Sequence, residues 1–242
     1  MGALPLAAGV GVVALLASTL SAVTGFGGAV ILLPVLIWAF GPRAAVPILT
    51  VVQVVGNASR VLFNRRDVVP QVAGWFALGA VPLSVAGALV FSVAPAPILQ
   101  RVIGVFLLGA VVWRHTSVGR RARVGLRGFL GIGALFGFLS AVVGTVGPLA
   151  APFFLSHGLV RGAYIGTEAL TALTMHAVKL VAYGRLALLD LQSLALGAAI
   201  GVIMVAGSYA GKRIADRLPD RAFRAIVEAT LVVAGVQLLL AP

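Results

Sequence analysis

Eight long apolar runs, separated by short polar or basic stretches, cover the chain from end to end. None of them shows strict apolar/polar alternation, so the pattern indicates membrane-spanning helices and argues against barrel strands. Two runs are longer than a single span needs, and each contains a glycine-rich break. The runs are 4–40, 44–63, 71–92, 97–113, 128–157, 162–183, 190–210 and 222–240.

The two breaks, 25–28 and 144–147, fall at matching places in the two halves of the chain. The same tripeptide, Ser-Ala-Val, precedes each break at 21–23 and 140–142, and further short matches follow in a common order. Paired, glycine-interrupted apolar segments point to the binding site of a secondary transporter. We therefore predict one membrane domain, 1–242, with repeat one at 4–113, a basic cytoplasmic loop at 114–127 and repeat two at 128–240, each repeat having four main helices.

Composition supports an all-α integral membrane protein. Hydrophobic residues make up 61% of the chain and charged residues 10%, whereas soluble domains carry about 25% charged residues. Cysteine is absent, which excludes disulfides and thiolate metal sites. The net charge of +12 does not indicate nucleic-acid binding, because the basic residues lie between apolar runs, as the positive-inside rule predicts for a multi-pass protein of the inner (plasma) membrane.

The 18 basic residues also bear on how the broken elements cross the membrane. If each broken element crosses once, the basic residues divide ten inside against eight outside, which is hardly a bias. If each element returns to its starting side, or crosses twice, only four lie outside: Arg43, Arg101, Lys179 and Arg185. The positive-inside rule favours the second arrangement, which makes the two halves inverted repeats with break tips meeting near the midplane.

Several motifs together resemble the sulfite exporter TauE/SafE family. They are the sequence Gly-Phe-Gly-Gly at 25–28 with an apolar run to Pro34, the second copy ending at Gly147-Pro148, and the basic turn Asn-Arg-Arg-Asp at 64–67. The resemblance covers essentially the whole chain. It implies a membrane permease for sulfur-containing anions, such as sulfite or small organosulfonates.

The breaks themselves are candidate anion-binding elements. Helices that restart at about Ala29 and Pro148 would direct free N–H groups and partial positive charge toward each break. The alternative is that these glycines only allow helices to pack closely, which we expect for Gly79 and Gly201. The candidate site residues of the two breaks are Gly25, Gly27, Gly28, Gly144, Thr145 and Gly147.

Polar residues inside the apolar runs form two helix faces. Thr50, Gln53, Asn57 and Arg60 are spaced i, i+3, i+7 and i+10, and Thr167, Thr171 and Thr174 share a face in the matching run. Such residues mark pathways or sites, although threonines also bond to their own helix backbone. If they form a site, the residues expected to bind substrate are Gln53, Asn57, Thr171 and Thr174.

Four ionisable residues are candidates for coupling or gating: Glu168, Arg60, Lys179 and His176. Glu168 either carries a coupling proton or lies near a membrane boundary, paired with Arg161 or Lys179. Arg60 and Lys179 lie near helix ends, where they either snorkel to the surface or attract anions at a cavity mouth. His176 is either a packing residue or a proton relay.

These observations predict a secondary transporter of small sulfur-containing anions that works by alternating access, with proton coupling as an option. A passive anion channel is the nearest alternative. An intramembrane enzyme and a metal-ion permease are disfavoured, because acidic residues are few and the histidines lack ligand spacing. We expect no enzyme activity, cofactor or metal. The expected partners are the anion and the lipid bilayer, with a homodimer left open and nucleic acid excluded.

Overall fold

The computed structural model describes residues 3–24, 28–115, 124–159, 161–214 and 236. Gly25, Gly27, most of the basic loop at 114–127 and nearly all of the predicted last helix, 222–240, lie outside these ranges. The regular elements within them are all helices, as predicted. They are α1 (Ala3–Thr24), α2 (Gly28–Phe63), α3 (Pro70–Val93), α4 (Ala96–His115), α5 (Gly128–Val143), α6 (Gly147–Ser156), α7 (Arg161–Arg185) and α8 (Leu191–Ile214).

Three helices within the described residues are long and apolar enough to cross a membrane, judged by length and composition. They are Gly28–Phe63, Pro70–Val93 and Leu191–Ala210. Their outward faces carry large exposed apolar side chains, for example Leu78 and Val202, which are 64% and 68% exposed. Such faces are stable against lipid and unfavourable in water. The fold is therefore that of a helical membrane protein.

The second broken element, α5–α6, is a hairpin. Gly144 ends α5 with a φ of 88°, a conformation that favours glycine, and α6 begins at Gly147. The α6 side chain of Phe154 then packs on Phe129, at the start of α5, with ring centroids 5.2 Å apart. His157, just after α6, contacts the same Phe129 ring. The element thus returns to the end from which it started.

The first broken element ends in a similar way. α2 begins at Gly28, where an added Cβ would lie 3.1 Å from Ser21 Cβ and 3.2 Å from Ala17 O of α1, so the chain folds back after the break. α2 then bends at Gly41, which has a φ of 73° and divides the helix into a first part, 28–40, and a second part, 42–63. Gly158, which follows α6, also has a positive φ, of 93°. Phe40-Gly41 and His157-Gly158 are two of the matching dipeptides in the sequence.

Glycines allow α3 and α5 to pack with their backbones in contact. A Cβ atom at Gly133 would overlap the carbonyl of Phe76, and one at Gly137 would overlap that of Ala80. The packing role predicted for Gly79 is confirmed, because a Cβ there would lie 2.7 Å from the backbone nitrogen of Ala134. Contacts between α3 and α5 advance along both helices together, so the two helices are parallel.

α8 packs against α1 and the second part of α2 in the same manner. The contacting pairs are Gly11 with Ile203, Leu15 with Gly207, Val51 with Gly197 and Val55 with Gly201. These pairs also advance together, so the three helices are parallel, and the packing role predicted for Gly201 is confirmed.

α7 joins the two groups of helices. It runs parallel to α3, since Val69 bonds Thr167 near their starts and Phe91 stacks on Tyr183 near their ends. It runs antiparallel to the second part of α2, where Arg60 contacts Glu168 and the later Asn64 lies against the earlier Gly166. The helices α1, α8 and the second part of α2 therefore point one way, and α3, α5 and α7 point the other.

The close packing of α3 on α5 is testable with one added methyl group. We expect Gly133→Ala to lower the free energy of unfolding by about 1–3 kcal/mol, because its Cβ has no room against the α3 backbone. The matched control is Gly131→Ala on the same helix, where nothing lies within 4 Å and stability should be unchanged or higher. Melting temperatures of the detergent-purified proteins measure both effects, and equal values would contradict the packing.

Candidate functional site

A small buried cavity lies between the two broken elements. Its walls come from α1, α2, α3, α5, the second break, α6 and α7, so both halves of the chain contribute. The space that a water centre can reach is about 20 Å³, which is room for about one water molecule. The lining residues are Ser21, Ala29, Gln53, Arg60, Phe76, Ser140, Thr145, Val146, Gly147, Ala150, Glu168, Thr171, Ala172, Met175 and His176.

The second break forms one wall of this cavity. Val146 precedes α6, no side chain caps the helix, and a proline follows at its first turn. Pro148 has no N–H, and the N–H groups of Leu149 and Ala150 donate to Val146 O, so the start of α6 presents the Gly147 N–H and partial positive charge next to the cavity. Ala29, at the start of α2, lines the cavity from the first break, and Gly28 is buried beside it. The helices after the breaks were predicted to begin at about Ala29 and Pro148, and they begin one residue earlier, at Gly28 and Gly147.

Arg60 is the charged centre of the site. Its Nη1 donates to Glu168 Oε2 at 3.3 Å, and its Nη2 donates to Asn57 Oδ1. Asn57 in turn donates to the Gln53 carbonyl at 2.8 Å. Glu168 therefore pairs with Arg60 of the opposite half. The expected pairing with Lys179 is wrong, and the side chain of Arg161, the other expected partner, lies outside the described structure.

The expectation that Arg60 and Lys179 snorkel is also wrong, because they are 5% and 0% exposed. The Lys179 ammonium donates to Ser140 O at 3.0 Å, to Ser140 Oγ at 2.8 Å and to Gly144 O at 3.3 Å. These three bonds use all three of its N–H donors. Lys179 thus holds the end of α5, where the helix dipole places partial negative charge, and leaves no N–H for a ligand.

Several polar groups on the cavity wall are not used by the protein itself. The Nδ1 atom of His176 is buried and makes no hydrogen bond within the described part of the chain. Ser21, Gln53 and Thr145 also line the cavity, and no side-chain hydrogen bond of theirs occurs among the described residues. Buried polar groups normally have partners, so this set is suited to a polar ligand.

The structure brings some of the predicted binding residues together and leaves others aside. Gln53 and Thr171 line the cavity, although the Thr171 hydroxyl also donates to Glu168 O at 2.8 Å. Thr174 donates to its own helix at Leu170 O and is not on the wall, which fits the alternative reading of the threonines. Asn57 is likewise off the wall, where it accepts a hydrogen bond from Arg60.

Two serines of the wall, Ser21 and Ser140, are absent from the sequence-based candidates. They are the first residues of the Ser-Ala-Val tripeptide that precedes each break. Repetition of this tripeptide before both glycine breaks was the signal that could have identified them. Phe76 and Met175 also line the cavity, but nothing distinguishes them in so apolar a sequence.

Two other features of the described residues bear on the chemistry. No group of three His, Asp or Glu side chains able to hold a metal occurs there. A larger groove lies between α3 and α7, but its walls are apolar except for Arg185, and Val181 in it is 62% exposed. That groove faces outward and lacks the buried polar groups of the cavity.

The profile of the family described as "Sulfite exporter TauE/SafE" matches residues 10–238, almost the entire chain. The chain belongs to this family. No curated protein and no solved structure matches it. Membership of the TauE/SafE family makes the chain a membrane transporter for sulfite or related sulfur anions, in a family of transporters and not of enzymes.

The role of Lys179 can be tested in this TauE/SafE protein without a substrate. We expect Lys179→Met to lower the free energy of unfolding by about 1–3 kcal/mol, because the α5 carbonyls lose their partner at a depth that lacks water. Hydrogen exchange of the 144–147 amides should also become faster. Arg185→Met, an exposed basic residue on the same helix, is the matched control. Unchanged exchange at the break in Lys179→Met would contradict the capping role.

Proposed function

We propose that the protein is a secondary transporter of sulfite or small organosulfonates that works by alternating access. The observation that carries the proposal is the buried cavity between the two broken elements, lined by Arg60 and by polar groups that have no partner among the described residues. Sites at the junction of two broken helices are typical of secondary transporters.

The chemistry of the cavity supports an anion with several oxygen atoms. The start of α6, the Arg60 guanidinium and the side chains of Ser21, Gln53 and Thr145 all offer hydrogen-bond donors. A sulfur oxyanion has acceptor oxygens pointing in several directions, so it can bond to donors on opposite walls at once. In an enclosed site such bonds are stronger than in water.

We also propose that the halves 4–113 and 128–240 are inverted repeats. The opposite directions of α1 and α5, of the second part of α2 and α7, and of α3 and α8 support this. The hairpin of α5 and α6 supports the arrangement in which a broken element returns to its starting side. Related halves of opposite orientation can exchange conformations, which is how such transporters open to each side in turn.

The distribution of basic residues supports an orientation in the inner membrane. The face where α2 ends and α3, α5 and α7 begin carries Arg65, Arg66, Arg127 and Arg161 in the described residues. The opposite face carries Arg43, Arg101 and Arg185. Together with the arginines of the central loop, this bias favours a cytoplasmic position for the first face.

The small size of the cavity favours a transporter over a passive channel. It holds about one water, and an anion must therefore wait for the walls to open on one side before it can enter. A channel would need an open path on both sides at the same time.

Transport by the reconstituted protein tests the proposal directly. We expect proteoliposomes to take up sulfite and methanesulfonate faster than sulfate or chloride, with saturation. Gln53→Leu should slow uptake by about tenfold or more, since it removes a hydrogen bond to a charged ligand. Ser156→Ala, at the exposed end of α6, is the control and should behave like the unchanged protein.

Absence of uptake for every sulfur anion by a folded protein would contradict the proposed function. Unitary currents with these anions in planar bilayers would instead favour the channel.

A further inference from the structure

The Arg60–Glu168 pair links the two halves of the protein at the cavity. Arg60 lies on the second part of α2 and Glu168 on α7, and each side chain is only 6% exposed. Both side chains also line the cavity. In a buried pair of this kind, the charge that remains after loss of its partner is strongly disfavoured.

An entering anion would compete with Glu168 for the same cation. The planar guanidinium group binds carboxylates and tetrahedral oxyanions through the same N–H groups. The cavity has no room for a sulfonate while the carboxylate holds its position against Arg60. The negative charge of Glu168 would also repel the anion. Binding of the anion at Arg60 therefore requires Glu168 to move away, to become neutral, or both.

We propose that the substrate anion displaces Glu168 from Arg60, and that the released carboxylate binds one proton. The proton comes from the water on the side to which the cavity is open, and the carboxylate becomes a carboxylic acid. No other bond forms or breaks, so one proton is carried with each anion. The reason is that a buried carboxylate without a cation takes up a proton rather than remain charged.

Among the groups around it, Glu168 is the carboxylate placed to bind this proton. Arg60 faces it from α2, and His176 shares the cavity wall on α7. Lys179 is engaged with α5, and no other carboxylate lines the cavity within the described residues. Asp67, in the turn before α3, is exposed and lies against Gly162. His176 is the competing proton acceptor that the experiment has to separate from Glu168.

This inference rests on the proposed function, and proteoliposomes test the two separately. The probe is methanesulfonate, which stays singly charged near neutral pH and with one proton forms an electroneutral pair. For the wild type, an inward gradient of one pH unit should drive about tenfold accumulation. Glu168→Gln should still equilibrate methanesulfonate but accumulate none, because its amide cannot carry the proton. Asp67→Asn is the control and should keep the accumulation. His176→Gln tests the competing acceptor: uptake should be slower, because His176 lines the cavity, but the final accumulation should still be about tenfold.

The outcomes separate the claims. Wild-type protein that moves no sulfur anion overturns the proposed function and this inference together. Accumulation by Glu168→Gln equal to that of the wild type overturns the inference alone, as does its loss in His176→Gln but not in Glu168→Gln.

A second measurement does not depend on how well the variants fold. Methanesulfonate binding to the purified wild-type protein in weakly buffered detergent solution, followed with a pH dye, should take up about one proton for each anion bound. Binding without proton uptake would overturn the inference even if Glu168→Gln failed to fold.

Discussion

At membrane depth, a backbone group that leaves a helix must find its partner inside the protein, because lipid offers none. The end of α5 shows how this chain meets that constraint. Lys179, on the neighbouring α7, donates all three N–H groups to Ser140 and Gly144, and so stabilises the terminus exposed by the break. The non-helical residues Thr145 and Val146 can then line the cavity. The buried lysine thus supplies partners for the backbone next to the non-helical segment 144–146.

The packing around the site keeps the non-helical segment 144–146 buried. Glycines let α3 lie directly on α5, and α8 directly on α1 and α2, which excludes lipid from the centre. The remaining charged groups in the centre are then paired, as Arg60 is with Glu168. The wall groups that have no hydrogen-bond partner in the described part of the chain, including His176 Nδ1, Gln53 and Thr145, are the part of the site suited to a ligand. The paired residues Arg60 and Glu168 thus stabilise the centre, and different residues of the same polar cluster are left for the ligand.

Much of this arrangement was predictable from local patterns. The apolar runs gave the helices, and the glycine breaks located the cavity, because both signals depend on residues close together in sequence. Partners distant in sequence were not predictable. Glu168 pairs with Arg60, 108 positions away, and Lys179 reaches the end of α5, because antiparallel and parallel helix packing brings these residues together. The sequence predicts two separate runs, ending at 40 and beginning at 44, but the structure has one element, α2. Only Gly41 between them is non-helical, so α2 bends there and continues.

The central claim is that both breaks contribute to one anion site. The chain has no cysteine, so single cysteines can be placed at Ser21 and at Thr145, on the two sides of the cavity. The control is a cysteine at Ser92, which is half-buried and does not line the cavity. The rate of thiol labelling at each position is measured against methanesulfonate concentration. The account predicts protection at Ser21→Cys and Thr145→Cys with the same half-maximal concentration, and none at Ser92→Cys. Protection of only one break, or of neither at concentrations that saturate transport, would contradict it.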